Sequence, residues 1–188
     1  MPGLMRMVAE HWGAGLATTL PAKGLFEGHP LDVGVCGGLA HPAAERILES
    51  ADLVVVFGAS MGRSSTQAGH LFEHAHAVKV VDEEPGPSTA APGWTETLHG
   101  DVTNTLQHVL SLSRRQAGSR PPWFVQVGPA ADCRREDLRD FSPPVAEGTV
   151  DPRRALAEID RHLPDDAAMV IGNGHCSGFA AAFTTAPP

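Results

Sequence analysis

Apolar and polar residues alternate at helical spacing over residues 4–12, and Gly13 and Gly15 follow as a stop signal, so the chain is expected to open in a helix. Residues 15–20 then read as a short strand, and the Gly- and Pro-rich stretch 21–38 as a long ordered loop. Pro42 stands at a favourable first position for a helix over 43–50, because proline has no N–H to lose there. Residues 52–57 are a nearly continuous apolar run stopped by Gly58, the pattern of a parallel strand buried on both faces. A helix over 66–74 leads into a second apolar run, 77–81, which ends at Asp82, and 95–99 form a weaker strand. Asp101 is placed to cap a helix over 102–114, where Val102, Leu106, Val109 and Leu110 follow the helical repeat. Strands alternating with helices predict an α/β fold with a parallel, doubly wound, Rossmann-like sheet.

Residues 116–150 break this pattern with Pro, Gly, Arg and Asp and read as a linker, in which 123–127 have the composition of a short edge strand. A new unit is expected from Asp151, a cap with Pro152 after it, through a helix to residue 163. A strand over 167–171, a turn at 172–174 and a helix over 177–183 complete the expectation. The division is therefore 1–115, 116–150 and 151–188, the last segment having too few strands to form a sheet.

Composition narrows the partners. A formal net charge of -8 leaves no basic surplus to neutralise phosphates, which argues against nucleic acid. With 42% hydrophobic and 19% charged residues the chain is globular, and no apolar run is long enough to cross a bilayer. Cys36, Cys133 and Cys176 are too widely spaced for a disulfide framework or a paired-cysteine zinc site. Free thiols and the lack of a signal-like start point to the cytoplasm.

Several residues carry candidate chemistry. Gly58-Ala59-Ser60-Met61-Gly62 follows a strand and matches G-x-S-x-G, and Asp82 and His99 come after Ser60 in the order a hydrolase triad would need. A small serine hydrolase is thus one alternative, although Arg63-Ser64-Ser65 intervenes before the expected helix, and a tight turn after a buried strand is the plainer reading. Asp82 ends a strand where a Rossmann acid would accept hydrogen bonds from a ribose, so a stand-alone nucleotide-binding module is another. No G-x-G-x-x-G accompanies it, which favours a turn or cap. His70, His74 and His76 cluster near a helix end without a neighbouring carboxylate or cysteine, and read as a solvated face rather than a metal site. Cys176 beside His175 hints at an activated thiol, but adjacent helical residues point apart.

Residues 17–26, Ala-Thr-Thr-Leu-Pro-Ala-Lys-Gly-Leu-Phe, followed by His29-Pro30-Leu31 and Gly34, resemble a T-T-x-x-x-K-G-x-F…H-P-L signature. That signature is found in the central domain of thiamine diphosphate enzymes of the acetolactate synthase type. Residues 51–59, Val81-Asp82-Glu83-Glu84-Pro85 and Gly100-Asp101-Val102 resemble further segments of that domain in the right order. The resemblance spans 7–112 and resumes over 151–183 as the opening of the family's C-terminal, diphosphate-binding domain.

The resemblance implies a Rossmann-like central domain with a structural role, holding FAD in some members. Ser60 stands where FAD-binding members tend to carry Arg, which argues against flavin. Gly174-His175-Cys176 resembles the turn that approaches the diphosphate of thiamine diphosphate, a role that a helix N-terminus suits. The resemblance also implies magnesium, a 2-oxo acid substrate, a carboligase or decarboxylase reaction and a homo-oligomer of the full-length enzyme. The family's activating glutamate and magnesium-binding segment have no counterpart here, and the domain's first strand is expected to be missing. The chain is therefore expected to be a fragment with an internal or misplaced start at Met1, inactive alone.

Overall fold

The computed structural model describes residues 1–81, 96–115, 120–123, 146–164, 166–172 and 174–184, the His175 side chain excepted. The chain opens in α1 (Pro2–Trp12), with Pro2 in its first turn and Gly13 in the left-handed conformation (φ 65°) as its stop, donating to the Ala9 carbonyl. Short strand β1 (Leu16–Thr18) and a 3-10 turn (Leu20–Ala22) follow. Strand β2 (Asp32–Val35) and helix α2 (Pro42–Glu49) come next, the helix capped by His41 Nδ1, which accepts from the Ala43 amide at 3.1 Å. Strand β3 (Leu53–Phe57), the short helix α3 (Arg63–Thr66), strands β4 (His76–Val81) and β5 (Glu96–His99) and helix α4 (Val102–Ser113) continue the alternation. Asp101 caps α4 by accepting from the Asn104 amide at 2.6 Å. Two further helices, α5 (Pro152–His162) and α6 (His175–Phe183), end the described chain.

All pairings are parallel, as the alternation predicted, but the strands fall into two sheets: β1 with β2, and β3-β4-β5 in that order. Alternation along β3 sends Val55 and Phe57 to a cluster with Val8, Val80, Val102, Leu106 and Leu110. Val54 and Val56 turn to the other face with Cys36, Met61, Leu71 and Phe72. Both faces of β3 are thus packed, as expected for a doubly wound layer, although Leu53 stays 48% exposed at the start of the strand. The first sheet has its own core of Ala9, Leu16, Phe26, Leu31, Val33, Ala44 and Ile47.

Three sequence expectations change. The loop over 21–38 contains β2, hidden because its four residues include Gly34 at φ 93°, whose amide bonds back to Asp32 Oδ1 at 2.9 Å. The helix over 66–74 is instead α3, which includes the Arg63-Ser64-Ser65 step, followed by a kinked 3-10 segment (Gln67–Phe72). There Thr66 Oγ1 accepts from the Gly69 amide at 3.1 Å and competes with the helical ladder. Residues 167–171 form no strand, and Val170 is 98% exposed, since no described strand lies beside them to complete a ladder. The edge strand suggested at 123–127 lies mostly outside the described residues, 124–127 not being among them.

Gly37 is the tightest backbone approach. At φ 88° an added Cβ would stand 2.2 Å from the Ser64 carbonyl, against open space around Gly3 in α1. Gly37→Ala is expected to lower stability by more than about 2 kcal/mol through clash and strain, and Gly3→Ala to leave it unchanged or raise it by up to about 1 kcal/mol. Equal denaturant midpoints for the two variants would contradict this packing.

Candidate functional site

In a doubly wound fold, ligands gather where strands end at their carboxyl edge. Here Cys36-Gly37-Gly38 after β2 meets α3, which follows the loop from β3: the Gly38 amide donates to Ser64 O at 2.9 Å, and Gln67 Nε2, just past α3, donates to Glu45 Oε1 of α2 at 2.6 Å. Ser60 lies in the loop 58–62 between β3 and α3, exposed, its carbonyl accepting from Lys79 Nζ at 3.4 Å. The left-handed positions are Gly58 (φ 65°) and Met61 (φ 51°), on either side of Ser60 rather than at it, so the sharp turn of a nucleophile elbow is absent. His99 sits at the far edge of the sheet on β5, two strands and roughly 10 Å from β3, so it does not meet Ser60. Asp82 lies outside the described residues, as does Cys133.

The histidine cluster is dispersed among carboxylates. His70 faces Glu73 at 3.9 Å, His76 faces Glu96 at 3.8 Å across the strand pair, and His74 is exposed. Among the described residues no group of three or more His, Cys, Asp or Glu is arranged to hold a metal ion. Of the thiols, Cys176 is exposed and Cys36 is buried, and burial pushes the Cys36 thiol up to about 11.

The residues singled out at the end of the chain form the start of α6. Gly174 is the N-cap, with its backbone extended (φ 167°), and its carbonyl accepts from the Ser177 amide at 3.1 Å and from Ser177 Oγ at 2.6 Å. Among the described residues no side chain caps this end and no acidic residue occupies the first turn, which leaves the positive pole of the helix without a side-chain acceptor. Gly174 and Cys176 are exposed, and the His175 side chain lies outside the described residues. The chemistry of this end suits an anion.

The other end of α6 is buried against the first sheet, which sequence reasoning missed. Lys23, at the close of the 3-10 turn after β1, donates from Nζ to Thr184 O at 2.7 Å and approaches Thr184 Oγ1 at 3.4 Å. A cavity of about 20 Å³ beside it, lined by Thr18, Lys23, Glu27, Asp32, Ala181 and Thr184, has room for one water molecule. The only sequence signal was the T-T-x-x-x-K-G motif itself, which marks Lys23 without indicating its partner 161 residues away.

Comparison with known proteins agrees with the Rossmann-like α/β fold. Residues 3–109 match the family model of the thiamine pyrophosphate enzyme central domain. The chain is 24% identical over 190 residues to an acetolactate synthase of Mycobacterium avium, covering 95% of this chain and 29% of that protein. It is 27% identical over 182 residues to an acetolactate synthase large subunit of Parasynechococcus marenigrum (strain WH8102), covering 94% of this chain and 28% of that one. The chain thus spans under a third of the length of these relatives.

Two outcomes follow from this geometry. A fluorophosphonate probe is expected to leave Ser60 unlabelled, because no side chain among the described residues hydrogen-bonds its hydroxyl; stoichiometric labelling lost in Ser60→Ala would restore the hydrolase reading. The Cys36 thiol holds its proton to about 11 when folded and to 9.0 otherwise, so the folded state binds that proton more tightly. Its contribution is complete below pH 9 and is lost as pH rises from 9 through about 11. In denaturant titrations Cys36→Ala should remove on the order of 2 kcal/mol of alkaline destabilisation relative to the unsubstituted chain. Parallel pH profiles for the two proteins would refute it.

Proposed function

The chain belongs to the thiamine pyrophosphate enzyme family, whose central domain it carries over residues 3–109, and on that premise we propose that it serves a thiamine diphosphate- and magnesium-dependent carboligase or decarboxylase acting on 2-oxo acids. Residues 1–115 act as the structural central domain, 116–150 as a linker, and 151–188 as the start of the diphosphate-binding domain. Thiamine diphosphate supplies the carbanion chemistry that a 2-oxo acid requires. The amides of Gly174, His175 and Cys176 hold its diphosphate end, and the observation that carries this reading is the uncapped, acid-free first turn of α6. No magnesium ligand is assigned to the described residues, and no flavin role is proposed. The enzyme works as a homo-oligomer in the cytoplasm, in keeping with the lack, among the described residues, of any helix long and apolar enough to cross a membrane. A hydrolase role for Ser60 has no geometric support.

A pair of assays tests this reading. The 188-residue chain alone, given pyruvate, thiamine diphosphate and magnesium, is expected to form no acetolactate or acetaldehyde above a buffer blank. Placed in exchange for the matching segment of the Mycobacterium avium relative, it should support thiamine diphosphate-dependent acetolactate formation. In that chimaera Gly174→Val should raise KM for the cofactor about tenfold by crowding the turn. Turnover by the isolated chain that survives repurification would overturn its proposed silence, and a folded chimaera without cofactor-dependent turnover would overturn the family function.

A further inference from the structure

Helix α6 is smooth on the side it buries. Ala180, Ala181 and Ala182 are buried, and a Cβ added at Gly178 would come within 3.7 Å of the Leu39 side chain. Small side chains let a helix lie close to its neighbour but do little to stop it sliding along its own axis. Phe183 stands edge-on to His41 at 5.1 Å, near the carboxyl end. The helix also packs against α5, and the polar contacts at the carboxyl end add a directional restraint on its axial position.

Those contacts are strong for physical reasons. The last carbonyls of a helix lack intrahelical donors and form the negative pole of its dipole, so a cation there gains both a hydrogen bond and a favourable field. Lys23 supplies it: the side chain is 9% exposed, Nζ lies 2.7 Å from Thr184 O, and Thr184 is 1% exposed. Thr184 Oγ1 donates back to Ala180 O at 2.7 Å, which ties the capped residue to the preceding turn. An ammonium buried this far is costly unless its surroundings are polar, and Glu27 and Asp32 line the same cavity.

We propose that Lys23 is a positioning residue: by clasping the carboxyl end of α6 to the first sheet, it fixes where the Gly174-His175-Cys176 turn stands at the other end. The helix has nine residues, roughly 14 Å at its regular rise, short enough to move as a rigid rod. Releasing one end therefore displaces the other. The consequence for cofactor approach rests on the proposed function, whereas the clasp itself does not.

The test uses the full chain without cofactor. The sequence holds two lysines, Lys23 and Lys79, so reductive methylation read by mass spectrometry resolves each. Lys79 is expected to react at least about tenfold faster than Lys23, because Lys23 must wait for α6 to open. Gly178→Leu, which presses on Leu39 and levers α6 away, should bring the Lys23 rate close to that of Lys79. Lys23→Met should raise hydrogen exchange over 178–184 about tenfold while leaving α4 protected, and Lys23→Arg, which keeps the charge, should restore most of the protection. Equal methylation of the two lysines in the unsubstituted chain, or unchanged α6 exchange in a folded Lys23→Met, would overturn the proposal. Because none of these readouts involves thiamine diphosphate, a failed clasp is distinguishable from a failed family function.

Discussion

Helix α1 is the constraint on which the two sheets depend. No strand ladder joins β2 to β3 among the described residues, so the two layers share hydrophobic contacts in place of backbone hydrogen bonds. Ala9 and Met5 of α1 enter the core of the first sheet, and Leu4, Val8 and Trp12 enter that of the second. One amphipathic helix thus serves two cores with adjacent stripes of the same face. Its far end is fastened to α4, where Trp12 Nε1 donates to Ser113 Oγ at 2.8 Å and Ser113 Oγ in turn donates to Val109 O at 2.8 Å. An indole buried beside a helix needs such an acceptor, and Ser113 provides it without breaking the helix.

The segment between β1 and β2 gains its shape from the same helix. Arg6 of α1 donates to Leu25 O at 2.9 Å, and Glu10 meets His29 Nε2 at 3.1 Å. His29 Nδ1 accepts from the Leu31 amide at 3.2 Å, so the proton sits on Nε2 and is donated to Glu10. Phe26 and Leu31 then drop into the core on either side of that histidine. The K-G-x-F and H-P-L motifs are therefore read here as structural chemistry. Lysine ties down α6, phenylalanine and leucine fill space, and histidine orders the turn by using both ring nitrogens.

The most conspicuous motif-like feature, Ser60 in G-x-S-x-G, has no hydrogen bond to its hydroxyl among the described residues. The loop that carries it is left-handed at Gly58 and Met61, while the segment after β2 is held by α3 and Gln67 through Ser64 O and Gly37 O. The amino end of α6, by contrast, has no side-chain cap among the described residues. Its opposite pole is closed by Lys23.

Much of this was legible in the sequence because it depends on local pattern. The helices of residues 42–49, 102–113 and 152–162 announce themselves through Pro42, Asp101, Asp151 and Pro152, and the first helix through its apolar spacing over 4–12 and the Gly13 stop, signals that need only neighbouring residues. The strands at 53–57 and 76–81 are visible as apolar runs, and the family through its ordered motifs. What the sequence could not determine depends on partners distant along the chain. Strand β2 exists because β1 lies beside it, not because Asp32-Val33-Gly34-Val35 favours extension. Residues 167–171 have strand-like composition but no ladder to join. The separation of His99 from Ser60 follows from strand order, and the burial of Lys23 from a carbonyl 161 residues away. Periodicity and capping are properties of a short stretch, whereas a ladder, a sheet order or a buried ion's partner comes into being only when the folded chain brings the second half of the contact into place.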